Sequence, residues 1–415
     1  MINLRYYPLL LLTFFLFRCQ SSKNESSSFV YQDKMLELIS FFNNNAWNKT
    51  KATFYSEIDN EGKVVSDKIF TVASSRLIYG LAYASQLEQP LLERAKNVAA
   101  YQKAHLIGKD DEGAFSYSYI ENNKVEIPTQ LDVWQQAYGL CGLSELYRQT
   151  KDPSLLVTIH ELHDGFIGRF KDNENKGLWG DYKIGEGGIS SSKSLQSLMY
   201  PLTAYMINLW EADRTNKEKY EHQIAENIEL LYSIAWNEET QWVNVKFNDD
   251  WSVRKTSTGE YDFMVTPGHN FQLSALLLRT SKFDFLSDDN KEKYQELGKK
   301  ILEITLEKNY LFADGKIENG FYSEVNPNMN EVLDKRKTWW QHAEAIIALS
   351  LYKEKYTVEQ GLLENYFFDT FYDKEFGGEY FYVSEKDVPI TTEHKGSIGK
   401  STYHTIEMIR ILNDF

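Results

Sequence analysis

Gly113-Ala114-Phe115-Ser116-Tyr117-Ser118-Tyr119 opens on a glycine, places an aromatic residue two positions later and then alternates polar and aromatic residues. This pattern is typical of a tight turn that leads into a short β-strand. Turn-rich segments of the same kind, each built around one aromatic residue, recur along the chain. Their aromatic residues follow one another at intervals of 59 to 79 positions and are Phe54, Phe115, Trp179, Trp242, Phe321 and Tyr380. Six copies at a nearly constant period predict a repeated supersecondary unit.

Each unit places two predicted helices around this turn. The helix before the turn has a charged face, as in Asn290 to Lys300, and the helix after it carries small and apolar residues on most sides. A helix with a charged stripe faces water, whereas a helix that is apolar nearly all round is buried. On this pattern we predict the buried helices at about 68–88, 129–149, 193–211, 263–281, 338–353 and 400–413.

Six buried helices inside six amphipathic ones predict an all-α fold, the (α/α)6 barrel, with short β-hairpins at one end. An open solenoid of helix pairs is the alternative, and the nearly constant period of six units favours closure. The sequence shows no interdomain linker, so we predict one catalytic domain over residues 30–415. The longest interval in the repeat predicts an inserted loop from Asn248 to Asp262, at the rim of the pocket.

Composition and charge exclude several classes of protein. The 415 residues are 42% apolar, 14% aromatic and 25% charged, which is typical of a globular chain and not of a membrane bundle or a disordered one. Lys and Arg number 45 against 60 Asp and Glu, so the chain carries a formal charge of −15 and shows no basic face for nucleic acid. The two cysteines, Cys19 and Cys141, cannot form a disulfide framework or a cysteine-rich metal site.

The N-terminus is predicted to be a targeting segment. Arg5 precedes an apolar run from Tyr6 to Phe17 that is too short to span a bilayer and is typical of a secretory signal. Cys19 follows this run and precedes a Ser-rich stretch, which resembles a bacterial lipoprotein signal. We therefore expect a signal peptide over residues 1–18, lipidation of Cys19, a flexible tether over 19–29, and a lipoprotein exported to the periplasm or cell surface. A plain signal peptide with an incidental cysteine is the alternative.

Side chains near the N-terminal ends of the inner helices of such a barrel converge on one pocket. The candidates at these positions are Arg76, Trp134, Gln136, Tyr138, Lys193, Gln196, Tyr200, His269, Gln272, Trp339, Trp340, Glu344 and His404. Imidazole titrates near neutral pH, so His269 and His404 on opposite sides of a small molecule could remove a proton from one face of a carbon and return it to the other. Arginine and tryptophan around them suit a sugar ring and an enolate oxygen. Arg76 and Lys193 together could also accept an acidic sugar.

The other histidines have less specific interpretations. We expect the four on predicted outer helices to be solvated, and they are His105, His160, His163 and His222. His342 and His394 could be structural or functional. The sequence contains no His-x-x-x-His, His-Glu-x-x-His or Cys-x-x-Cys motif, so we do not expect a metal site.

At these residues the chain resembles the N-acylglucosamine 2-epimerase family, which includes cellobiose 2-epimerases and mannose isomerases. The best matches are Pro267-Gly268-His269, Trp339-Trp340-Gln341-His342-Ala343-Glu344 and Tyr403-His404. The resemblance implies an (α/α)6 barrel acting on a mono- or disaccharide through a cis-enediolate, without metal or organic cofactor. It further implies that His269 and His404 are the acid/base pair, that Arg76 binds the enediolate oxygen and that Trp340 and Glu344 line the sugar site.

The chain departs from the family pattern around the predicted sugar site. Tyr200 stands where the family has a histidine used in ring opening, and Thr203 and Gln272 stand where it has glutamates. Gly399 replaces a tryptophan. Tyrosine can donate a hydrogen bond but is a poor base near neutral pH. These changes favour a different sugar, or isomerisation instead of epimerisation.

Two other functions fit a barrel of this shape. A glycoside hydrolase, such as an unsaturated-glucuronyl hydrolase, would need a pair of carboxylates, for which Asp132, Asp262 and Glu344 are the candidates. A lipid-anchored sugar-binding protein without catalysis would be consistent with the altered third inner helix. The histidine-centred motifs favour the epimerase or isomerase over both.

Overall fold

Outer and inner helices alternate along the chain. The structure, a computed structural model, describes residues 30–414, so the predicted signal peptide, Cys19 and the whole predicted tether lie outside the described residues. The outer helices are α1 (Gln32–Asn45), α3 (Pro90–His105), α5 (Pro153–Phe170), α8 (Lys217–Ile234), α10 (Asp288–Glu307) and α12 (Lys353–Thr370). The inner helices are α2 (Thr71–Ala84), α4 (Val133–Thr150), α6 (Leu195–Pro201) with α7 (Ile207–Ala212), α9 (Pro267–Thr280), α11 (Trp339–Leu351) and α13 (Tyr403–Asp414).

The inner helices close into a ring. Every residue of α2 is buried, whereas α10 buries only a stripe and leaves its lysines and acidic residues half-buried or exposed. The last inner helix, α13, packs against the first, α2, and α1 packs against α13. This closure confirms the predicted (α/α)6 barrel and excludes the open solenoid. No helix within residues 30–414 is long and apolar enough to cross a membrane.

Glycines allow the inner helices to approach one another closely. A Cβ on Gly142 of α4 would lie 2.0 Å from the backbone oxygen of Ser75 in α2. A Cβ on Gly80 of α2 would lie 2.3 Å from the hydroxyl of Thr402, just before α13. Because the ring has no room for a side chain at these crossings, only glycine is compatible with the observed packing.

A hairpin follows each outer helix, as the repeat predicts. Three of the hairpins are the antiparallel pairs β1 (Trp47–Asn48) with β2 (Thr53–Phe54), β4 (Ile107–Asp110) with β5 (Gly113–Ser116) and β11 (Trp236–Asn237) with β12 (Trp242–Val243). The other three are single bridges, Lys171 to Leu178, Phe312 to Phe321 and Tyr372 to Glu379. In five of the six turns an Asx side-chain oxygen accepts the backbone N–H two residues further on, and these residues are Asn48, Asp110, Asp172, Asn237 and Asp373. Such Asx turns explain why Asn and Asp recur in the repeat.

A second set of strands lies next to the inner helices. The set comprises β3 (Ile69–Phe70), β6 (Tyr119–Glu121), β7 (Lys124–Val125), β8 (Gln130–Asp132), β9 (Asp181–Lys183), β10 (Gly187–Gly188), β13 (Glu324–Asn326), β14 (Glu331–Asp334), β15 (Lys337–Thr338), β16 (Tyr382–Val383) and β17 (Pro389–Ile390). They form the sheets β3–β6–β7, β8–β9–β10, β13–β14 and β15–β16–β17. Strands β3, β8 and β15 each end where an inner helix begins, so they set where α2, α4 and α11 start. The strand predicted over 115–119 is split between β5 and β6.

The third inner helix is interrupted, in contrast to the continuous helix predicted over 193–211. Pro201 lacks a backbone N–H, and a π-helical turn over 202–206 follows it. The hydroxyl of Tyr403 donates to the carbonyl of Thr203 inside this turn at 2.8 Å. The interruption therefore gives α13 an anchoring point beside His404.

The inserted loop at 248–262 packs against the third unit and does not line the pocket described below. Trp251 Nε1 donates to the carbonyl of Lys176 at 3.1 Å, and Lys193 Nζ donates to the carbonyl of Asp249 at 2.6 Å. Lys193 also forms a buried ion pair with Asp172 at 2.6 Å. The expectation that Lys193 serves a sugar pocket is wrong, because its ammonium group is used to hold this loop and turn together.

The predicted solvation of the outer histidines is only partly correct. His105 and His222 are exposed. His163 is buried and its Nδ1 lies 2.9 Å from the hydroxyl of Tyr205, while half-buried His160 contacts Asp213 and the hydroxyl of Tyr220. His342 is structural: its Nδ1 donates to the carbonyl of Thr338 at 2.8 Å and its ring stacks on Phe321.

Candidate active site

A cavity of about 300 Å³ opens at the N-terminal ends of the inner helices. Its walls contain six of the residues that the sequence singled out, which are Arg76, Trp134, Tyr200, Trp339, Trp340 and His404. The remaining wall residues are Phe381, Ser397, Ile398 and Gly399. Since helix N-termini carry a partial positive charge, this end of the barrel favours an anion.

His404, the second residue of α13, lies on the cavity wall and is held from behind. Its Nδ1 lies 3.0 Å from Oε1 of Glu344, the sixth residue of α11. Gln272 of α9 donates from Nε2 to the same oxygen at 3.2 Å. Burial, reinforced by the positive charges of Arg76 and Lys400, holds the pKa of His404 well below its usual 6.5. The imidazole is therefore uncharged at neutral pH.

His269 lies in the first turn of α9 and, unlike His404, is not among the residues that line the cavity. Its Nδ1 lies 2.9 Å from the hydroxyl of Thr266, and its ring centroid is 5.6 Å from that of Trp340. The ring of His404 is 5.8 Å from the same indole. Burial lowers the pKa of His269 to about 4, so both imidazoles are uncharged bases at neutral pH. The structure thus brings the two predicted histidines to one tryptophan at the cavity.

Arg76 contributes a buried cation to the cavity wall. Its guanidinium group donates to the carbonyl of Gly399 and lies 3.9 Å from the ring centroid of Tyr138. Its Nε is buried without a hydrogen-bond partner, and Arg76 forms no ion pair within residues 30–414. A desolvated cation without a counter-ion is electrostatically suited to an anion that forms during a reaction.

A polar groove of about 460 Å³ adjoins the cavity and shares Trp134 and Tyr200 with it. Gln196 lies in this groove, together with Asp132, Asp181, Ser192 and Ser194. Burial raises the pKa of Tyr200 to about 12, although Arg76 and Gln196 oppose the change, so its hydroxyl stays protonated and can donate a hydrogen bond. The side chain that replaces the third-helix histidine is therefore a neutral donor at the junction of cavity and groove.

Gln272 and Glu344 lie deeper than predicted. Neither is on the wall of the main cavity, and both line a separate cavity of about 40 Å³ beneath it. Arg279, Tyr403 and Glu407 also line this inner cavity. Glu344 contacts His404 and Gln272 contacts Glu344, so both residues support His404 in this geometry, and direct contact of either with the sugar stays a prediction.

The carboxylates proposed for a hydrolase do not form a pair at the cavity. Asp132 caps α4 by accepting the backbone N–H of Gln135 at 2.8 Å, and Asp262 pairs with Arg254 at 2.7 Å in the inserted loop. Glu344 is bound to His404. No carboxylate lies among the cavity residues within the part of the chain that the structure describes.

Sequence reasoning missed Phe381, Ser397 and Ile398 of the cavity and noted Gly399 only as a departure from the family pattern. Phe381 and Ser397 to Gly399 come from the segment between the last hairpin and α13. Lys400, in the same segment, is buried with its Nζ 4.0 Å from the ring centroid of Trp339 and 3.5 Å from Glu379. The only available signal was the position of this segment just before an inner helix.

Comparison with known proteins agrees with this geometry. The sequence profile of the N-acylglucosamine 2-epimerase (GlcNAc 2-epimerase) family matches residues 53–408. A cellobiose 2-epimerase of Dictyoglomus turgidum is 24% identical over 318 residues, which cover 72% of this chain and 75% of the relative.

Solved structures share the fold. A D-mannose isomerase has a TM-score of 0.78 at 17% identity, with 92% of this chain and 97% of that chain covered. The cellobiose 2-epimerase of Spirochaeta thermophila has a TM-score of 0.78 at 16% identity, with 92% and 96% covered. An unsaturated glucuronyl hydrolase specific for heparin superposes less well, with a TM-score of 0.61 at 12% identity, and covers 92% and 96%. With a profile match that spans most of its length, this chain belongs to the N-acylglucosamine 2-epimerase family, a family of sugar epimerases and isomerases.

Proposed function

We propose that this chain is a sugar 2-epimerase or aldose–ketose isomerase that transfers a proton between two histidines through a cis-enediolate. The observation that carries the proposal is that His269 and His404, both uncharged at neutral pH, contact Trp340 at a cavity whose wall contains the unpaired cation Arg76. The arrangement offers one base and one anion-binding group on the cavity wall and a second base beside the shared Trp340, and we propose that all three act on a single sugar.

The reaction proceeds on the open-chain sugar. One imidazole removes the proton from C2, and the electrons of that bond form the enediolate, whose negative oxygen Arg76 stabilises. The other imidazole acts as the acid and returns a proton to C2 from the opposite face, which gives the 2-epimer; the catalytic groups therefore start the cycle with one extra proton on that side. Return to C1 gives the ketose. Trp340 and Trp134 supply flat apolar surfaces for the sugar ring, as aromatic side chains do in carbohydrate sites.

Cavity size supports a mono- or disaccharide substrate. The cavity of about 300 Å³ has room for one sugar unit, and the adjoining groove of about 460 Å³ has room for a second. The relatives named above act on cellobiose and on D-mannose. We propose that an aldose, free or at the reducing end of a disaccharide, is the substrate.

Isotope uptake tests this proposal. The protein is incubated in D2O with glucose, mannose, N-acetylglucosamine or cellobiose, and deuterium at C2 or C1 is followed by NMR. We expect uptake with at least one sugar, and its loss in His404→Asn and His269→Asn. His222→Asn, on the exposed surface of α8, is the matched control and should retain uptake. If no sugar exchanges, or if His404→Asn exchanges as fast as the wild type, the proposal is wrong.

We also propose that Cys19 is lipidated and anchors the protein in a bacterial membrane. Support comes from the first described residue, Val30, whose backbone N–H donates to Asn413 Oδ1 at 2.8 Å, near the C-terminal end of α13. His404 lies at the other end of that helix, so the chain enters the barrel on the face away from the cavity. Phase separation in a detergent should place the wild type, but not Cys19→Ser, in the detergent phase; equal partition of both would contradict the anchor.

A further inference from the structure

Glu344 lies one contact behind the proposed base and has an unusual environment. Its carboxyl is buried, accepts from Gln272 Nε2 at 3.2 Å and lies 3.0 Å from His404 Nδ1. None of these contacts is with a permanent cation, so Glu344 has no counter-ion that would oblige it to stay ionised. A buried carboxyl in this situation is stable as a neutral acid.

The charged and polar groups facing Glu344 come from several inner helices. They are Arg76 on α2, Tyr138 on α4, Tyr200 on α6, Gln272 and Arg279 on α9, and His404 and Glu407 on α13. Burial raises the pKa of Glu344 to about 8, and the negative charge of Glu407 adds to this effect against Gln272 and Arg76. The pKa of His404 moves in the opposite direction. A proton that reaches this pair therefore prefers the carboxyl to the ring.

Gln272 is matched to both forms of this carboxyl. In the structure its amide N–H donates to Glu344, while its own Oε1 is buried without a hydrogen-bond partner. The Nε2–H of Gln272 can donate to a carboxylate oxygen and equally to an oxygen of the neutral acid, so it does not compete for the acid proton that Glu344 directs to His404. Both forms of Glu344 thus have a hydrogen-bonding neighbour on α9.

We propose that Glu344 and His404 share one exchangeable proton, that Glu344 stores it, and that His404 conducts it between Glu344 and the sugar carbon. In the loaded state Glu344 is a neutral acid that donates to Nδ1, and the proton of His404 is on Nε2. When Nε2 gives its proton to the carbon, the acid proton moves to Nδ1, which leaves a carboxylate and a ring with a free Nε2. Removal of a proton from C2 by His404 reverses these steps, so His404 itself does not accumulate as an imidazolium in the buried site.

The catalytic role of the shared proton rests on the proposed function, but the existence of the shared proton can be tested without a substrate. If Glu344 and His404 share a proton, the ring of His404 changes its tautomer with pH even when no sugar is bound. Below about 8 the pair holds the shared proton and Nε2 is protonated; above it Glu344 is a carboxylate and Nδ1 is protonated. The 15N resonances of labelled imidazoles distinguish these tautomers from each other and from imidazolium, and His404→Asn assigns the signal.

We expect the wild-type His404 signal to pass from the Nε2–H to the Nδ1–H tautomer near pH 8. Glu344→Gln should hold one tautomer from pH 6 to 9.5, because an amide cannot take up the proton. Thr266→Val, which removes only the partner of His269, is the control and should leave the change in place. A wild-type tautomer that is constant over this range, or an imidazolium signal at pH 6.5 or above, would overturn the proposal.

The pH profile of turnover supplies a second, independent readout. Turnover requires that His269 and the Glu344–His404 pair together hold one transferable proton. Activity is therefore expected to fall on the alkaline side near pH 8, where the Glu344–His404 pair loses this proton, and on the acid side near pH 4, where His269 is protonated as well. In Glu344→Gln the proton has to reside on an imidazole, which moves the alkaline limb below 6.5. We expect a loss of about tenfold or more at pH 7.5 that shrinks at pH 5.5.

A purely structural role of Glu344 would lower turnover equally at all pH values and leave the limb in place, which would overturn the proposal. The outcomes also distinguish the epimerase function from the shared proton. Absence of isotope uptake with a tautomer change present would reject the epimerase function alone, and uptake with a constant tautomer would reject the shared proton alone.

Discussion

Replacing Arg76 tests whether its charge serves catalysis or stability. The guanidinium group is buried, stacks on Tyr138 at 3.9 Å and has no carboxylate partner among the described residues. Loss of the stacking in Arg76→Met costs up to about 2 kcal/mol, because cation–π contacts reach that value when desolvated. Removal of an uncompensated buried charge acts in the opposite direction. The two effects oppose each other, so we expect little change in the free energy of unfolding.

Turnover should respond much more strongly. Loss of one preorganised donor to an oxyanion costs about 100- to 1,000-fold in kcat, or about 2.7–4 kcal/mol. We therefore expect Arg76→Met to reduce isotope uptake at C2 by this factor while KM changes little.

The control is Arg94→Met, because Arg94 stacks on Trp47 at 3.8 Å but lies on the outer helix α3. It loses the same kind of contact and should keep full kcat. If Arg76→Met retains kcat within about threefold and loses only substrate affinity, Arg76 binds the ground state and the enediolate argument is wrong.

Three further predictions concern the substrate pocket, packing and acid stability. Tyr200→Phe removes the neutral hydrogen-bond donor at the junction of cavity and groove. It should weaken substrate binding by about 1 kcal/mol, which appears as a several-fold rise in KM. An unchanged KM for every sugar would contradict this role of Tyr200. Gly142→Ala forces a methyl group against α2 and should lower the free energy of unfolding, measured in denaturant, by about 1–3 kcal/mol. The control Gly361→Ala on α12, which has open space around it, should raise it by up to about 1 kcal/mol. Equal effects of the two substitutions would refute the packing argument. Burial alone would raise the pKa of Asp373, but the ion pair with Lys395 and the backbone hydrogen bonds to the carboxylate hold this pKa below 3.8. The stabilisation from the Asp373 carboxylate is therefore present above pH 3.8 and is lost as the pH falls through the lower native pKa. Asp373→Asn should cost about 3–5 kcal/mol of stability at pH 7 and less at pH 3, and a loss that does not depend on pH would contradict the assignment.

Helix positions could be predicted closely because they depend on local periodicity. The outer helix α5 begins at Pro153 and ends at Phe170, as proline at a first turn and the apolar spacing indicate. The inner helices begin later than the apolar pattern suggests. Helix α2 starts at Thr71 because Ile69 and Phe70 form a strand that pairs with β6, fifty residues away in sequence, and no local signal reports that pairing.

The residues of the candidate site could be predicted from the sequence, but how deep each one lies in the barrel could not. Helix N-termini on a barrel of known repeat converge, so Arg76, Trp340 and His404 could be assigned to one cavity. Glu344 lies about one turn deeper than Trp340 on α11, and Gln272 lies about one turn deeper than His269 on α9, and their depth depends on how α9, α11 and α13 cross. Buried contacts also decided that His163 and Lys193 are structural, because their partners, Tyr205 and Asp172, lie on other segments.

The amino-acid sequence by itself determined the sixfold repeat, the alternation of amphipathic and apolar helices and the family, because each is written in local spacing and short motifs. The tertiary structure alone decided which polar groups meet in the core: that Arg76 faces the cavity without a counter-ion, and that Glu344 is paired with His404 sixty residues further along the chain. Such pairings depend on the packing of helices distant in sequence, and the low dielectric of that packed interior is what gives the buried groups their altered proton affinities.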